Sequence, residues 1–449
     1  MARITAYTSE RLALDPPPLD RSVPLAELQA TAGQTITAQG MGGAAALDLF
    51  ADVLAPACLS IDHPRYLSFV AAAPTEAASL FDMVVSVTSI YGGSWLEGSG
   101  AVYAENQALR WLSDLAGLPE GAGGTFVSGG STANLSALAA ARRTWRDRIG
   151  DARRPGGLVV VSSAAHSSIA SALELLDLEA IEVPVDESDR LTRAALDDTI
   201  AGLDAAQRSA ICAVVATAGL TNSGTVDDIG AAADAASGLG AWLHVDGAYG
   251  GAALCSSGAV NRFAGIQRAD SVTIDPHKWL FAPYDCAAII YRTPALARAT
   301  FTQHAEYLDV LTDAGDWCPS DYAPHLTRRA RGLPFWFSLA VHGTDAYREA
   351  IDLTLAVASD AAEMIRGRED LELVLEPELS IVVFRVRGWA PDDYRRWSDH
   401  LLAEEIGFMV PTTWRGEMVF RACIVNPLTT VADIEAVIPS ADEVVGWSW

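Results

Sequence analysis

The stretch Ser271–Leu280, SVTIDPHKWL, contains Lys278, the only lysine in the 449-residue chain. Every other cationic side chain of the Lys/Arg type is an arginine. An arginine serves wherever a permanent charge is enough, but it cannot replace an amine whose nitrogen must lose its proton and attack a carbonyl. Asp275-Pro-His277 before the lysine and Trp279-Leu-Phe281 after it make a poor solvated loop. A lysine that merely survived a biased composition does not explain that setting. The reading is a short apolar strand, Ser271–Ile274, that delivers a reactive amine just beyond its end.

Outward from this stretch, short β-branched runs alternate with Ala-rich helical segments from about Thr125. The predicted strands are Thr125–Val127, Leu158–Ser162, Ile181–Val185, Ile211–Thr217, Trp242–Asp246, Ser271–Ile274 and Ala287–Tyr291. Helices Ser131–Arg148, Ser167–Leu176, Arg193–Leu203 and Asp227–Ser237 fall between them. This alternation implies an α/β architecture with a mostly parallel seven-stranded sheet covered on both faces. After Arg331-Gly-Leu-Pro334 the order changes to a long helix from near Thr344 to Arg368, then runs Leu371–Leu375 and Ile381–Val386. A helix from Pro391, a strand Met418–Val425 and a closing helix from Val431 follow, which predicts a smaller C-terminal α+β domain. The expected division is an N-terminal extension, residues 1–62, that packs on a second subunit; a large domain, 63–335; and a small domain, 336–449.

Half of the residues are hydrophobic, enough for a large core. The formal net charge of −26 would be repelled by nucleic acid and by anionic membranes. Cys58, Cys212, Cys255, Cys286, Cys318 and Cys423 are scattered, without the close pairs of a zinc site or a disulfide framework. Pro, Gly or charge interrupts every long apolar stretch, and the N-terminus carries no run resembling a signal peptide. The expectation is a soluble cytoplasmic protein with reduced thiols and no metal, membrane or nucleic-acid partner.

Ligands of such sheets bind beyond the C-terminal strand ends. The loop after the first strand, Ser128-Gly129-Gly130-Ser131-Thr132, runs straight into a helix. Its glycines let backbone approach an anion, the helix N-terminus offers free N–H groups, and the hydroxyls add donors. His166 follows the second strand, Thr217 ends the fourth, Asp246 ends the fifth just before Gly247-Ala248, and Lys278 follows the sixth. Singly these are an ordinary Gly-rich turn, a capping histidine and a partnered buried acid. Together they match the needs of pyridoxal 5'-phosphate: an amine that forms an imine with the aldehyde, a cradle for the phosphate, and a carboxylate that keeps the pyridine nitrogen protonated. An ion pair at ~3 Å with an effective dielectric of ~20 is worth about 5 kcal/mol before desolvation. Even half of that holds the ring as a cation near neutral pH.

At these residues the sequence resembles the group II pyridoxal-phosphate-dependent amino acid decarboxylases, the family of the aromatic amino acid, glutamate, histidine and diaminobutyrate enzymes. SVTIDPHKWL is similar to their lysine signature, the likeness continues through Leu280, Tyr284, Cys286, Ile289 and Arg292, and it extends from about His63 to Pro427. The resemblance implies fold type I, a homodimer, and decarboxylation of an L-amino acid to an amine and carbon dioxide. It implies Lys278 as the Schiff-base lysine, Asp246 as the pyridinium partner, and Ala248 beneath the ring with His166 stacked above it. It implies Gly129, Gly130 and Ser131 as the phosphate loop, His277 near the phosphate or substrate, and Thr217 near the cofactor's phenolic oxygen. Tyr322, in Pro319-Ser-Asp-Tyr322, matches the tyrosine that a mobile loop, often of the other subunit, brings over the site to return a proton, and the basic stretch Arg328–Arg331 follows it.

Some positions depart from the pattern. Asp275 stands where aromatic decarboxylases carry an asparagine, and Ala71-Ala-Ala73 and Tyr91-Gly-Gly-Ser94 replace bulkier pocket residues. Arg65 and the Arg328–Arg331 cluster are candidate grips for an acidic substrate. Alternatives on the same fold are an oxidative aldehyde synthase, a carbon–carbon lyase and a non-catalytic scaffold.

Overall fold

The computed structural model describes residues 2–71, 73–303 and 317–440. Seven strands form the central sheet: β1 (Gly123–Val127), β2 (Leu158–Ser162), β3 (Glu179–Val183), β4 (Ile211–Thr217), β5 (Trp242–Asp246), β6 (Ser271–Ile274) and β7 (Ala287–Tyr291). Their spatial order is β1-β7-β6-β5-β4-β2-β3. β2 to β6 run parallel, and β7 lies between β1 and β6 antiparallel to both. Every strand except β7 therefore ends on one edge, which gathers the loops after Val127, Ser162, Thr217, Asp246 and Ile274.

The apolar runs form strands because both faces are covered; all seven residues of β4 are buried. Helix α6 (Gly130–Ile149) lays Ala137, Ala141 and Trp145 on one face, against Val159, Val161 and Val215. On the other, Leu109 and Leu112 of the helix Trp95–Leu115 and Ala232 and Ala236 of the helix Ile229–Leu239 meet Val160, Val214 and Val245. The smaller C-terminal sheet is antiparallel, its four strands being Pro411–Trp414, Glu417–Cys423, Ile381–Val386 and Leu371–Leu375 in spatial order.

Three differences from the sequence reading have local causes. The third strand lies two residues earlier than predicted, because Leu158 pairs with Glu179. The long helix starts at Leu333 rather than near Thr344: Pro334 sits in its first turn, where a missing N–H costs nothing, and Gly343 (φ +76°) interrupts the helix instead of beginning it. Pro411–Trp414 is a strand the sequence reading did not include; its proline opens an edge strand, which tolerates a lost donor. Among the described residues no helix is long and apolar enough to cross a membrane, no His/Cys/Asp/Glu group is arranged to hold a metal ion, and no disulfide forms.

Candidate active site

Lys278 lies on a single helical turn, Pro276–Trp279, between β6 and β7. Its neighbours are fixed from both sides. Trp279 is fully buried, stacks on Tyr249 with ring centroids 5.2 Å apart, and donates from Nε1 to Thr354 Oγ1 at 3.0 Å. His277 donates its backbone N–H to the Cys286 carbonyl at 3.0 Å and accepts the Cys286 N–H on Nδ1 at 2.9 Å. Burial, then the charge of Lys278, pushes the His277 imidazole down to about 4, so the ring is neutral and carries its proton on Nε2. Between these anchors the Lys278 side chain is 27% exposed, with Nζ 3.2 Å from Asp275 Oδ2.

Asp246 ends β5 with both oxygens engaged. Asn134 Nδ2 donates to Oδ2 at 2.8 Å and the Ala248 N–H to Oδ1 at 3.1 Å. Asn134 projects from α6 one turn after Gly130, and its Oδ1 accepts from Thr273 Oγ1 (3.0 Å) and His244 Nε2 (2.9 Å). The directions are then determined: His244 keeps its proton on Nε2, so its Nδ1 accepts from the Ser271 hydroxyl at 2.8 Å, and Ser271 in turn accepts from Trp242 Nε1 at 2.8 Å. Burial pushes His244 down to about 4, with Asp246 pulling the other way, in keeping with a neutral ring. Asn134 Nδ2 also reaches Ser168 Oγ at 3.0 Å, and Ser168 lies 2.8 Å from His166 Nδ1. That nitrogen also accepts the Ser168 N–H at 3.1 Å, capping the helix Ser167–Leu175. The proton of a neutral His166 is thereby left on Nε2. The imidazole is exposed and borders a cleft of about 560 Å³ also lined by Thr221, Asn222 and Arg415.

Gly129 caps α6, and the Gly130 N–H donates to Asp275 Oδ2 at 3.0 Å. A Cβ on Gly130 would fall 2.9 Å from that oxygen and 3.0 Å from the Ala248 methyl, so the close approach requires glycine. Ser131 is exposed at the same helix end. Thr217 is held by its backbone: Asp227 accepts the Thr217 N–H on Oδ2 at 2.7 Å and the Leu191 N–H on Oδ1 at 2.8 Å. Burial lifts Asp227 to about 7 despite those two donors. The Thr217 hydroxyl itself is buried and has no partner among the described residues.

Lys278, His277, Asp246, Ala248, Thr217, Gly129, Gly130, Ser131 and His166 thus share one edge of the sheet. Tyr322 is not grouped with them within one protomer. It is 4% exposed, stacks on Trp317 at 4.3 Å, and its carbonyl accepts the Tyr291 hydroxyl at 3.0 Å. Tyr291 pairs with Gly123 and Ser271, the first residues of β1 and β6, at the end of the sheet remote from Lys278. Residues 304–316, ahead of it in the expected loop, lie outside the described residues. The arginines offered as grips are also committed elsewhere. Arg328 is buried in a bidentate pair with Glu105 (2.7 and 2.8 Å), Arg329 pairs with Asp82 (2.7 Å), Arg331 with Asp285 (3.4 Å) and Arg65 with Asp433 (2.9 Å). Asn134, His244, Ser168 and Asp227 were missed. A polar residue among the buried alanines of α6, and a histidine two residues before Asp246 on the same strand face, were the available signals.

The residues fit pyridoxal phosphate. A partly exposed amine stands beside Asp275, a donor-supported carboxylate ends β5, the glycine-lined N-terminus of α6 reaches Asp275, and Thr217 Oγ1 and Asp275 Oδ1 are buried without partners among the described residues. Residues 45–387 match the pyridoxal-dependent decarboxylase conserved domain. The chain is 34% identical over 386 residues to an aromatic-L-amino-acid decarboxylase of Bacillus atrophaeus, covering 83% of this chain and 79% of that protein. It is 31% identical over 419 residues to an L-2,4-diaminobutyrate decarboxylase of Rhizobium meliloti (strain 1021), covering 90% and 82%. The fold superposes on Oryza sativa TDC, solved with PLP and tryptamine, with a TM-score of 0.89 at 24% identity over 99% of this chain and 95% of that one. The fold is that of a fold type I pyridoxal-phosphate enzyme. The chain belongs to the pyridoxal-dependent decarboxylases and is a carboxy-lyase that uses this cofactor.

Proposed function

We propose that the protein converts an L-amino acid to its amine and carbon dioxide, with Lys278 carrying the cofactor and yielding it to the substrate's amine. The observation that carries this reading is the sole lysine, half-buried at the strand edge 3.2 Å from Asp275 and anchored by Trp279 and His277. The bound cofactor supplies an electron sink for the bond to the departing carboxylate. Asp246, oriented by Asn134 and the Ala248 N–H, holds a proton at the pyridine nitrogen. Gly129, Gly130 and Ser131 hold the phosphate at the N-terminus of α6, with His277 beside them. Thr217 would offer its hydroxyl, which has no partner among the described residues, to the phenolic oxygen, and Ala248 would leave room for the ring. His166, whose Nδ1 is taken by the Ser168 N–H, would lie over the ring, and with the proton left on Nε2 it would be the group that returns a proton to carbon after carbon dioxide leaves.

The protein acts as a cytoplasmic homodimer in this reading. On the helix Glu76–Thr88 the exposed side chains Leu80, Met83, Val84 and Val87 form one apolar stripe, Leu96 and Tyr103 are exposed on the next helix, and a second copy would cover the stripe. Light scattering of the full chain should give twice its mass. The reaction is tested by a panel of amino acids followed for carbon dioxide, amine and oxygen. One substrate should yield equal amounts of amine and carbon dioxide with no oxygen consumed. An aldehyde product with oxygen uptake, or no turnover across the panel with cofactor bound, would overturn the reading.

A further inference from the structure

Asp275 occupies the position toward which the anion-binding end of α6 points. Its side chain is 1% exposed. Oδ2 receives the Gly130 N–H at 3.0 Å, lies 3.2 Å from Lys278 Nζ and 3.6 Å from His277 Nε2. Oδ1, in contrast, is buried with no partner among the described residues. Asp246 faces it from the end of β5, Tyr284 and Cys286 from the segment after the lysine turn, and α6 adds only backbone amides. Lys278 is thus the one cation against it among the described residues, and in the proposed function that amine is bonded to the cofactor's aldehyde. A phosphate held at Gly129–Ser131 meets this carboxyl across a shared donor, and two like charges in one site are not both ionised without cost. An acid that carries its proton on the unpartnered oxygen resolves the conflict, because its O–H then has an acceptor.

We propose that Asp275 binds the cofactor's phosphate through a shared proton, with Oδ1–H donating to a phosphate oxygen, so that cofactor binding retains one proton at this pair. The inference rests on the reading above that Lys278 takes the aldehyde and the Gly129–Ser131 loop takes the phosphate. The proton comes from solvent or from the phosphate monoanion, and no other bond changes. Burial already lifts the Asp275 carboxyl above the usual carboxylate range; Lys278 pulls it down and Asp246 pushes it further up. Because the bound state raises the proton affinity further, cofactor affinity falls with pH above both the carboxyl's own pKa and the free phosphate's second pKa, about 6. There it falls about tenfold per pH unit until the bound pair also loses its proton.

The test titrates the full-length apoprotein with pyridoxal phosphate, and separately with pyridoxal, between pH 7 and 9, where the free phosphate is fully ionised. Calorimetry in two buffers of different ionisation enthalpy counts protons, with wild type beside Asp275→Asn. Wild type should lose affinity for pyridoxal phosphate more steeply than the variant, by up to about tenfold per pH unit, and retain one more proton on binding. Pyridoxal should give equal slopes in both proteins. Equal slopes and equal proton counts for pyridoxal phosphate would overturn the proposal. Should the variant fail to fold, identical wild-type slopes for pyridoxal phosphate and pyridoxal would overturn it too. Borohydride reduction distinguishes the underlying reading: equal slopes with a stable Lys278 adduct sink the shared proton alone, whereas absence of that adduct sinks the cofactor assignment and the proposal with it.

Discussion

Asn134 receives no attention from its residue type, yet it decides how Asp246 can act. Its amide donates to Asp246 and to Ser168, and its carbonyl accepts from His244 and Thr273, so one side chain orients the acid and, through Ser168, the imidazole of His166. Replacing Asn134 by Ala removes a hydrogen bond to a charged acceptor, worth about 1.5–3 kcal/mol, and should lower turnover of the cofactor-loaded enzyme about 10- to 150-fold. A turnover number within a factor of two of wild type would show that Asp246 needs no such orientation. Lys278 and Asp246 were legible because each is chemically out of place: a lone amine in an arginine chain, and an acid closing an apolar strand. Asn134 was not, because a polar residue in an Ala-rich helix reads as solvent-facing until α6 is laid across β5. Tyr322 shows a converse limit of sequence reading. Motif spacing says nothing about whether a phenol is buried, and here Trp317 and Tyr291 enclose it.

Among the elements, the five strand ends that build the crevice were readable from alternation alone, and β2, β4, β5, β6 and β7 fall on the predicted residues. The antiparallel placement of β7 was not, since periodicity carries no direction. Basic residues after the expected loop looked like substrate ligands, but Arg328 is structural. Glu105 accepts both of its Nη donors and the Gly332 N–H at 2.8 Å, tying the helix Trp95–Leu115 to the start of the long helix. Arg328 and Glu105 are only 1% and 2% exposed, so breaking the pair leaves an uncompensated buried charge. Glu105→Gln should cost about 3–5 kcal/mol of stability, read as a fall in the denaturant midpoint. An unchanged midpoint would return Arg328 to the list of available cations.

At the scale of the molecule, two domains and several buried polar ties serve one edge of one sheet. Trp279 reaches Thr354 in the long helix, Tyr249 meets Ser380 at 2.7 Å, and Arg421 donates to the Thr221 carbonyl at 2.8 Å, so the lysine turn and the turn after Thr217 are both braced by the C-terminal part of the chain. What that framework presents is a single amine. The measurement that tests this most directly is borohydride reduction of the cofactor-loaded protein followed by peptide mass spectrometry. The account predicts one stable pyridoxyl adduct, on the peptide containing Lys278, and its loss with the visible absorbance in Lys278→Ala. Recovery of the cofactor unattached, or an adduct confined to the α-amino terminus, would contradict it.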